Sequence, residues 1–294
     1  MESICLRGGG GLRSGVPWPG PRPSCKGDTD MPGDHLLAIP VFNEEKHLPS
    51  VLREAREYSR HILVIDDGST DDTPRLLRRE GGLHVITHAE NRGYGKSLAD
   101  AFAFARREGF RWLITMDCDE QHEAAFIPRF RKAADEADAA AGDADIISGT
   151  RYANGHAAGE GAPPERREIN RIITATLNRR LGLDLSDAFC GFKAYRVSAL
   201  QHIHITVPGY AMPMQFWVQA ARAGLRVREL PVRLIYNDPT RHFGGLLDDP
   251  AIRLQHYLEV LETELTVPTG RRMQTAGGVP CTRSSPDSCS ISRS

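Results

Sequence analysis

The chain has 294 residues, a formal net charge of −1, and 40% hydrophobic against 26% charged residues. This is the make-up of an ordinary globular protein long enough to bury a real core, and the near-zero charge excludes a surface built to coat nucleic acid. No apolar run approaches the ~18 residues needed to span a bilayer, so any contact with a membrane is expected to be peripheral or supplied by a partner.

Residues 1–33 are rich in Gly, Pro and Arg and carry no apolar segment of the kind a secretory signal needs. Residues 266–294 are dominated by Thr, Ser, Arg and Gly. Neither stretch can bury enough apolar surface to offset its chain entropy, so both are expected to be disordered tails around a single domain over 34–265. Met31 directly precedes the folded pattern and is a candidate start. The six cysteines form no Cys-x-x-Cys pair, and only Cys118 and Cys190 fall in the central region. A zinc site or disulfide framework is not expected, and a reducing cytoplasm is the default location.

Between the tails, strand and helix signals alternate. Leu36–Val41 is a short apolar strand, and Glu44–Ser59 carries Leu48, Val51, Leu52, Ala55 and Tyr58 at helical spacing. Ile62–Ile65 is a buried-type strand running into the acidic turn Asp66-Asp67-Gly68-Ser69, with a helix from Pro74. Leu83–Thr87, Phe110–Met116 and Asp145–Gly149 read as strands; Ser97–Arg107 and Phe126–Ala139 read as helices. Such repeated units imply an α/β fold with a parallel sheet covered on both faces. Beyond Arg151 the regularity loosens. The reading there is a mobile loop over Ala153–Arg167, a helix over Ile169–Leu181 and an extended run over Ala188–Tyr195. A helix over Ala211–Ala223, a strand over Val227–Leu234 and a last helix over Ala251–Leu265 follow.

The stretch Trp112–His122 opens as an apolar strand and breaks into acids. Ligands of open α/β sheets bind just beyond the carboxyl ends of strands. Side chains two apart on an extended segment point the same way, so Asp117 and Asp119 can aim hard oxygens at one Mg²⁺ or Mn²⁺ carrying a diphosphate. Cys118 then points the opposite way and reads as packing. His122 adjoins the pair, but one histidine of 11 is weak evidence for a ligand. Asp67 either caps a turn or accepts a hydrogen bond from a base or ribose. Asn91-Arg92-Gly93-Tyr94-Gly95-Lys96-Ser97 fails both the Walker A pattern, with Glu at position 90, and the dinucleotide fingerprint, with Leu at 98. What survives is a basic turn at a helix start, which either faces a ligand phosphate or caps the helix.

Six motifs then occur in order: Pro40-Val41-Phe42-Asn43-Glu44-Glu45, Ile65–Thr73, Asn91-Arg92-Gly93, Met116–His122, Gly149-Thr150-Arg151-Tyr152 and Cys190-Gly191-Phe192-Lys193. Over residues 36–245 the series resembles the family 2 inverting glycosyltransferases of GT-A fold, nearest the dolichyl/polyprenyl-phosphate mannosyltransferase branch. The resemblance implies a Rossmann-like, mostly parallel sheet flanked by helices. It implies a nucleotide pocket lined by Pro40, Phe42 and Glu44, with Ile65 and Asp67 on the base and Asp117 and Cys118 in the diphosphate segment. It implies a metal shell of Asp117, Asp119 and Gln121, and catalytic roles for Asp119, Arg151 and Arg241. The donor would be a UDP- or GDP-sugar and the acceptor polyprenyl phosphate at a membrane surface. The chain departs from the branch's Arg-x-x-Gly-x-Ser-Lys motif, with Leu247 in place of lysine, and has Gln215 where relatives often have an acid. These departures leave open a rival, a sugar-nucleotide-binding protein that kept the pocket and lost turnover. A nucleotidyltransferase fits less well, because Pro40–Glu44 replaces the Gly-rich basic loop it would need.

Overall fold

A computed structural model describes residues 34–139, 142–153, 163–233, 235 and 245–268. The two tails, most of the 153–167 loop and the segment carrying Arg241 fall outside the described residues. A seven-stranded sheet runs through the domain in the order β3-β2-β1-β4-β6-β5-β7. The strands are β1 (His35–Val41), β2 (Ile62–Asp66), β3 (His84–Thr87), β4 (Trp112–Thr115), β5 (Ile146–Thr150), β6 (Lys193–Arg196) and β7 (Val227–Pro231).

The central strands are continuous apolar runs because both faces are covered, and alternate residues go to opposite cores. Leu36 and Ala38 of β1 join Leu63, Ile65 and Leu113 under α3 (Tyr94–Arg107), α5 (Pro164–Leu181), α6 (Met212–Arg222) and α7 (Pro250–Thr266). Leu37, Ile39 and Val41 join Val64, Trp112 and Ile114 under α1 (Leu48–Tyr58), α2 (Thr73–Arg79) and α4 (Ile127–Ala139).

The sheet is mostly parallel, as the resemblance implied. The exception is β6, antiparallel to both β4 and β5. It enters the sheet at the end where β4 leaves it: Thr115 Oγ1 donates to the Gly191 carbonyl at 2.7 Å. Several boundaries differ from the sequence reading, among them the start of α3 at Tyr94, the short β6 and the end of β7 at Pro231, and three others bear on the site. The first helix begins at Leu48 rather than Glu44, because Asn43 adopts a left-handed φ of 56° and the Glu44 carbonyl closes a turn onto the His47 and Leu48 amides. Helix α5 begins at Pro164, where a proline suits the first turn. Strand β4 ends at Thr115, so the acidic segment lies in bends rather than in extended chain.

Candidate active site

The carboxyl ends of β1, β2 and β4 lie side by side, and strand order reverses between β1 and β4, the switch point where such sheets bind ligands. Pairing continues one step past the strands: the Asp67 amide donates to Val41 O at 2.9 Å and the Met116 amide to Ala38 O at 3.1 Å. This fixes where the acidic segments begin.

On the β4 side, Asp117 is half-buried and Asp119 is buried. Asp119 Oδ1 accepts from the Gln121 amide at 3.1 Å, so Gln121 closes the turn through its backbone. Glu120 between them has a left-handed φ of 57°, a strained conformation for a non-glycine residue of the kind found at functional sites. Its carboxylate is tied to Ser50 Oγ and lies 3.4 Å from His47 Nδ1, clamping the segment to the start of α1. Asp117 Oδ1 accepts from the Tyr94 hydroxyl at 3.1 Å, and its Oδ2 lies 3.7 Å from His122 Nδ1. Burial alone would lower the pKa of His122, but the hydrogen bond and charge at Cys190 and the carboxylates of Asp117 and Asp119 outweigh it and push it up to about 9. Gly191 presses against Asp117 from the other side; a Cβ there would sit 2.2 Å from Oδ2. The side chain of Cys118 is buried in the core with Ile114, Met116 and Cys190. What it can offer a nucleotide is backbone.

This donor set fits a cation shared with a substrate. Asp117 and Asp119 are hard carboxylates two positions apart just past the end of β4, and among the described residues no group of three or more His, Cys, Asp or Glu is placed to hold a metal. Mg²⁺-type sites have that composition: one or two carboxylates, with substrate phosphates completing the shell.

On the β2 side, Asp67 is buried and heavily bonded. Its Oδ1 accepts from the Arg92 amide at 2.9 Å and lies 2.5 Å from His88 Nδ1, and its Oδ2 accepts from the Gly93 amide at 2.7 Å. His88 Nε2 reaches Asp100 Oδ2 at 2.8 Å, and Asp100 also holds Lys96. The turn function proposed for this acidic stretch belongs to Asp66, whose Oδ1 accepts from the Ser69 amide. The 91–97 turn therefore gives its Arg92 and Gly93 amides to Asp67, and Gly95 donates to Pro208 O at 2.6 Å. These three amides serve the protein rather than standing open to a phosphate. Asp67 Oδ2 accepts from the Gly93 amide alone among the described residues.

Pro40 and Ile65 are register partners at the ends of β1 and β2. Ile65 is fully buried in the core, whereas Phe42 is 42% exposed just past β1. Glu44 is buried and donates its amide to Thr73 Oγ1 at 3.0 Å. Pro40, Phe42 and Glu44 lie at the same sheet end as Asp67, whereas the Ile65 side chain, expected on the base, is buried in the core instead.

Arg151, expected near an acceptor phosphate, follows β5 on the same sheet edge and is already engaged. Its Nε and a terminal nitrogen donate to the two oxygens of the fully buried Asp187 at 2.6 and 2.9 Å. Burial works against charging either partner, but their mutual attraction dominates, holding the Arg151 pKa above and the Asp187 pKa below the ordinary values. Gln215 is also fully used: its Oε1 accepts from the Thr206 and Val207 amides, and its Nε2 donates to Thr206 Oγ1 and Glu264 Oε2. It clasps α6 to α7. Tyr94, His88, Glu120 and Asp187 were not singled out from the sequence, since each acts through a partner 12 or more positions away.

The model for glycosyl transferase family 2 matches residues 37–204, more than half of the chain. An undecaprenyl-phosphate mannosyltransferase of Micrococcus luteus is 25% identical over 76% of this chain and 93% of its own length. A polyprenol monophosphomannose synthase of Mycolicibacterium smegmatis is 30% identical over 67% of this chain and 76% of its own. Among solved structures, glucosyl-3-phosphoglycerate synthase from Mycobacterium tuberculosis, in complex with Mn²⁺, UDP and phosphoglyceric acid, superposes with a TM-score of 0.58. It is 20% identical, and the match covers 81% of each chain. That likeness shows the GT-A-like fold.

Proposed function

The chain belongs to glycosyl transferase family 2, and from that premise we propose that this glycosyltransferase moves a sugar, with inversion, from a UDP- or GDP-sugar to polyprenyl phosphate. The observation that carries the reading is the Asp117/Asp119 pair at the end of the central strand, on the same sheet edge as Asp67. Asp117 and Asp119 would hold a Mg²⁺ or Mn²⁺ ion, which supplies charge neutralisation to the diphosphate leaving group. Asp67 presents Oδ2 to the base. Pro40 and Phe42 offer apolar surface beside it, and the Glu120 clamp keeps the acidic segment in place before the donor arrives.

A phosphate acceptor is already anionic, so its oxygen can attack the anomeric carbon without a general base. That agrees with Gln215, whose amide is committed to structure and leaves no base at that position. The two relatives above are named for polyprenyl phosphates, which favours that acceptor. Because Asp187 neutralises Arg151, the acceptor's charge falls chiefly to Arg241, which lies outside the described residues. No helix among the described residues is long and apolar enough to cross a membrane, so the protein would meet a lipid acceptor from the membrane periphery. The test supplies polyprenyl phosphate in detergent with UDP- and GDP-sugars and Mn²⁺. A radiolabelled glycolipid is expected; sugar-nucleotide hydrolysis without glycolipid, with every polyprenyl phosphate tried, would refute the acceptor.

A further inference from the structure

Tyr94 lies outside every motif that carries the family resemblance, yet its hydroxyl donates a hydrogen bond to Asp117 Oδ1 at 3.1 Å. The backbone under it is fixed from below. Gly93 and Gly95 press so closely on the 207–209 segment that a Cβ would come within 2.4 Å of Pro208 O or 2.1 Å of Val207 O. The ring is fixed from the side, stacked on Tyr210 with centroids 6.1 Å apart and planes 19° apart. Asp117 is thus bounded by the Tyr94 hydroxyl on Oδ1 and by the Gly191 backbone against Oδ2.

We propose that Tyr94 is a positioning residue that orients the Asp117 carboxylate for a divalent cation. This rests on the reading of Asp117 given above. With Oδ1 held by the phenol, the carboxylate plane is set before the cation arrives, and binding forfeits none of the rotational freedom a loose side chain would lose. Partners that orient a ligand in this way typically change metal affinity by ~10–100-fold when removed.

Tyr94→Phe deletes the hydroxyl and keeps the ring on Tyr210. Free Mn²⁺ is followed by electron paramagnetic resonance as it is titrated into the full chain with saturating UDP or GDP, and nucleotide affinity without metal is measured by calorimetry. We expect the Mn²⁺ dissociation constant to rise roughly tenfold or more. Metal-free nucleotide affinity, Tm and the donor KM at saturating Mn²⁺ should stay at wild-type values. A merely structural role would move the last three as well. A Mn²⁺ constant within twofold of a wild type that binds normally overturns the Tyr94 assignment alone. An equal loss of metal-free nucleotide binding also overturns it, because Tyr94 then belongs to the nucleotide pocket. A wild type that binds no Mn²⁺ with either nucleotide overturns both this inference and the reading of Asp117 on which it rests.

Discussion

Asp187→Asn keeps the shape of a fully buried side chain and removes its charge, and the structure sets the cost. Oδ1 accepts from Arg151, Asn170 Nδ2 and the Phe189 amide; Oδ2 accepts from Arg151 Nε and the Arg151 amide. Whichever way the new amide turns, its NH₂ faces at least two donors. With hydrogen bonds to charged groups contributing about 1.5–3 kcal/mol each, the loss is about 3–6 kcal/mol. That agrees with the ~3–5 kcal/mol typical of breaking a buried pair from one side. Against a total of ~5–15 kcal/mol for a domain, and at ~2–4 °C per kcal/mol for a chain of this size, Tm should fall by roughly 6–24 °C. Urea unfolding followed by tryptophan fluorescence suits the question, since Trp217 Nε1 donates to the carbonyl of the next residue, Ala188. A loss below about 1 kcal/mol would mean that Arg151 is not held by Asp187, and its charge would be available to an acceptor after all.

The same pair predicts a pH signature. Attraction to Arg151 and hydrogen bonds to it and to Asn170 overcome burial and depress the Asp187 pKa in the folded state. Its stabilisation is therefore complete above the unfolded carboxylate value of ~3.9 and is lost as pH falls below it toward the folded value. Wild type should lose stability through that acid window more steeply than Asp187→Asn, and parallel acid limbs for the two would contradict the pairing.

Asp119→Asn should cut turnover at saturating donor by more than the ~10–100-fold of an outer-shell change; near-wild-type turnover would remove Asp119 from the metal assignment. Arg241→Ala should raise the acceptor KM and leave donor affinity alone, and the reverse pattern in steady-state kinetics would move Arg241 to the donor side.

The strands that build the site were legible because β1, β2 and β4 are buried on both faces and so read as apolar runs, those of β2 and β4 leading into acids. Strand β6 was placed as extended chain, but its direction was not foreseen. Lys-Ala-Tyr-Arg carries no signal for antiparallel pairing, and Lys193 is buried only because its ammonium reaches the Cys190 carbonyl and the Trp217 face. The left-handed residues Asn43 and Glu120 escaped for a related reason, since neither is glycine and each is held by distant partners, Asn43 by the 69–71 turn and Glu120 by Ser50. Periodicity reports which face a residue occupies, not which side chain 36 positions away meets it. Arg151 was thus legible as a cation and illegible as a neutralised one.

Asp67 and Asp117 were read from the sequence as separate contacts, one for the base and one for the diphosphate, but a single turn joins them. Asp67 holds the Arg92 and Gly93 amides, and the next residue, Tyr94, holds Asp117. Removing Asp67 should therefore do two things. Nucleotide affinity without metal should fall, because the acceptor for the base is gone. Mn²⁺ affinity should fall as well, because Tyr94 loses the anchor of the turn that aims it. If the second effect runs through Tyr94, Asp67→Ala and Tyr94→Phe are not independent, and the double variant should bind Mn²⁺ no worse than the weaker single variant. The coupling in that cycle should lie within the ~0.5–3 kcal/mol seen for residues that share a network. Strictly additive losses of Mn²⁺ affinity would show that the base end and the metal end of the pocket are built separately, and that the turn between them transmits nothing.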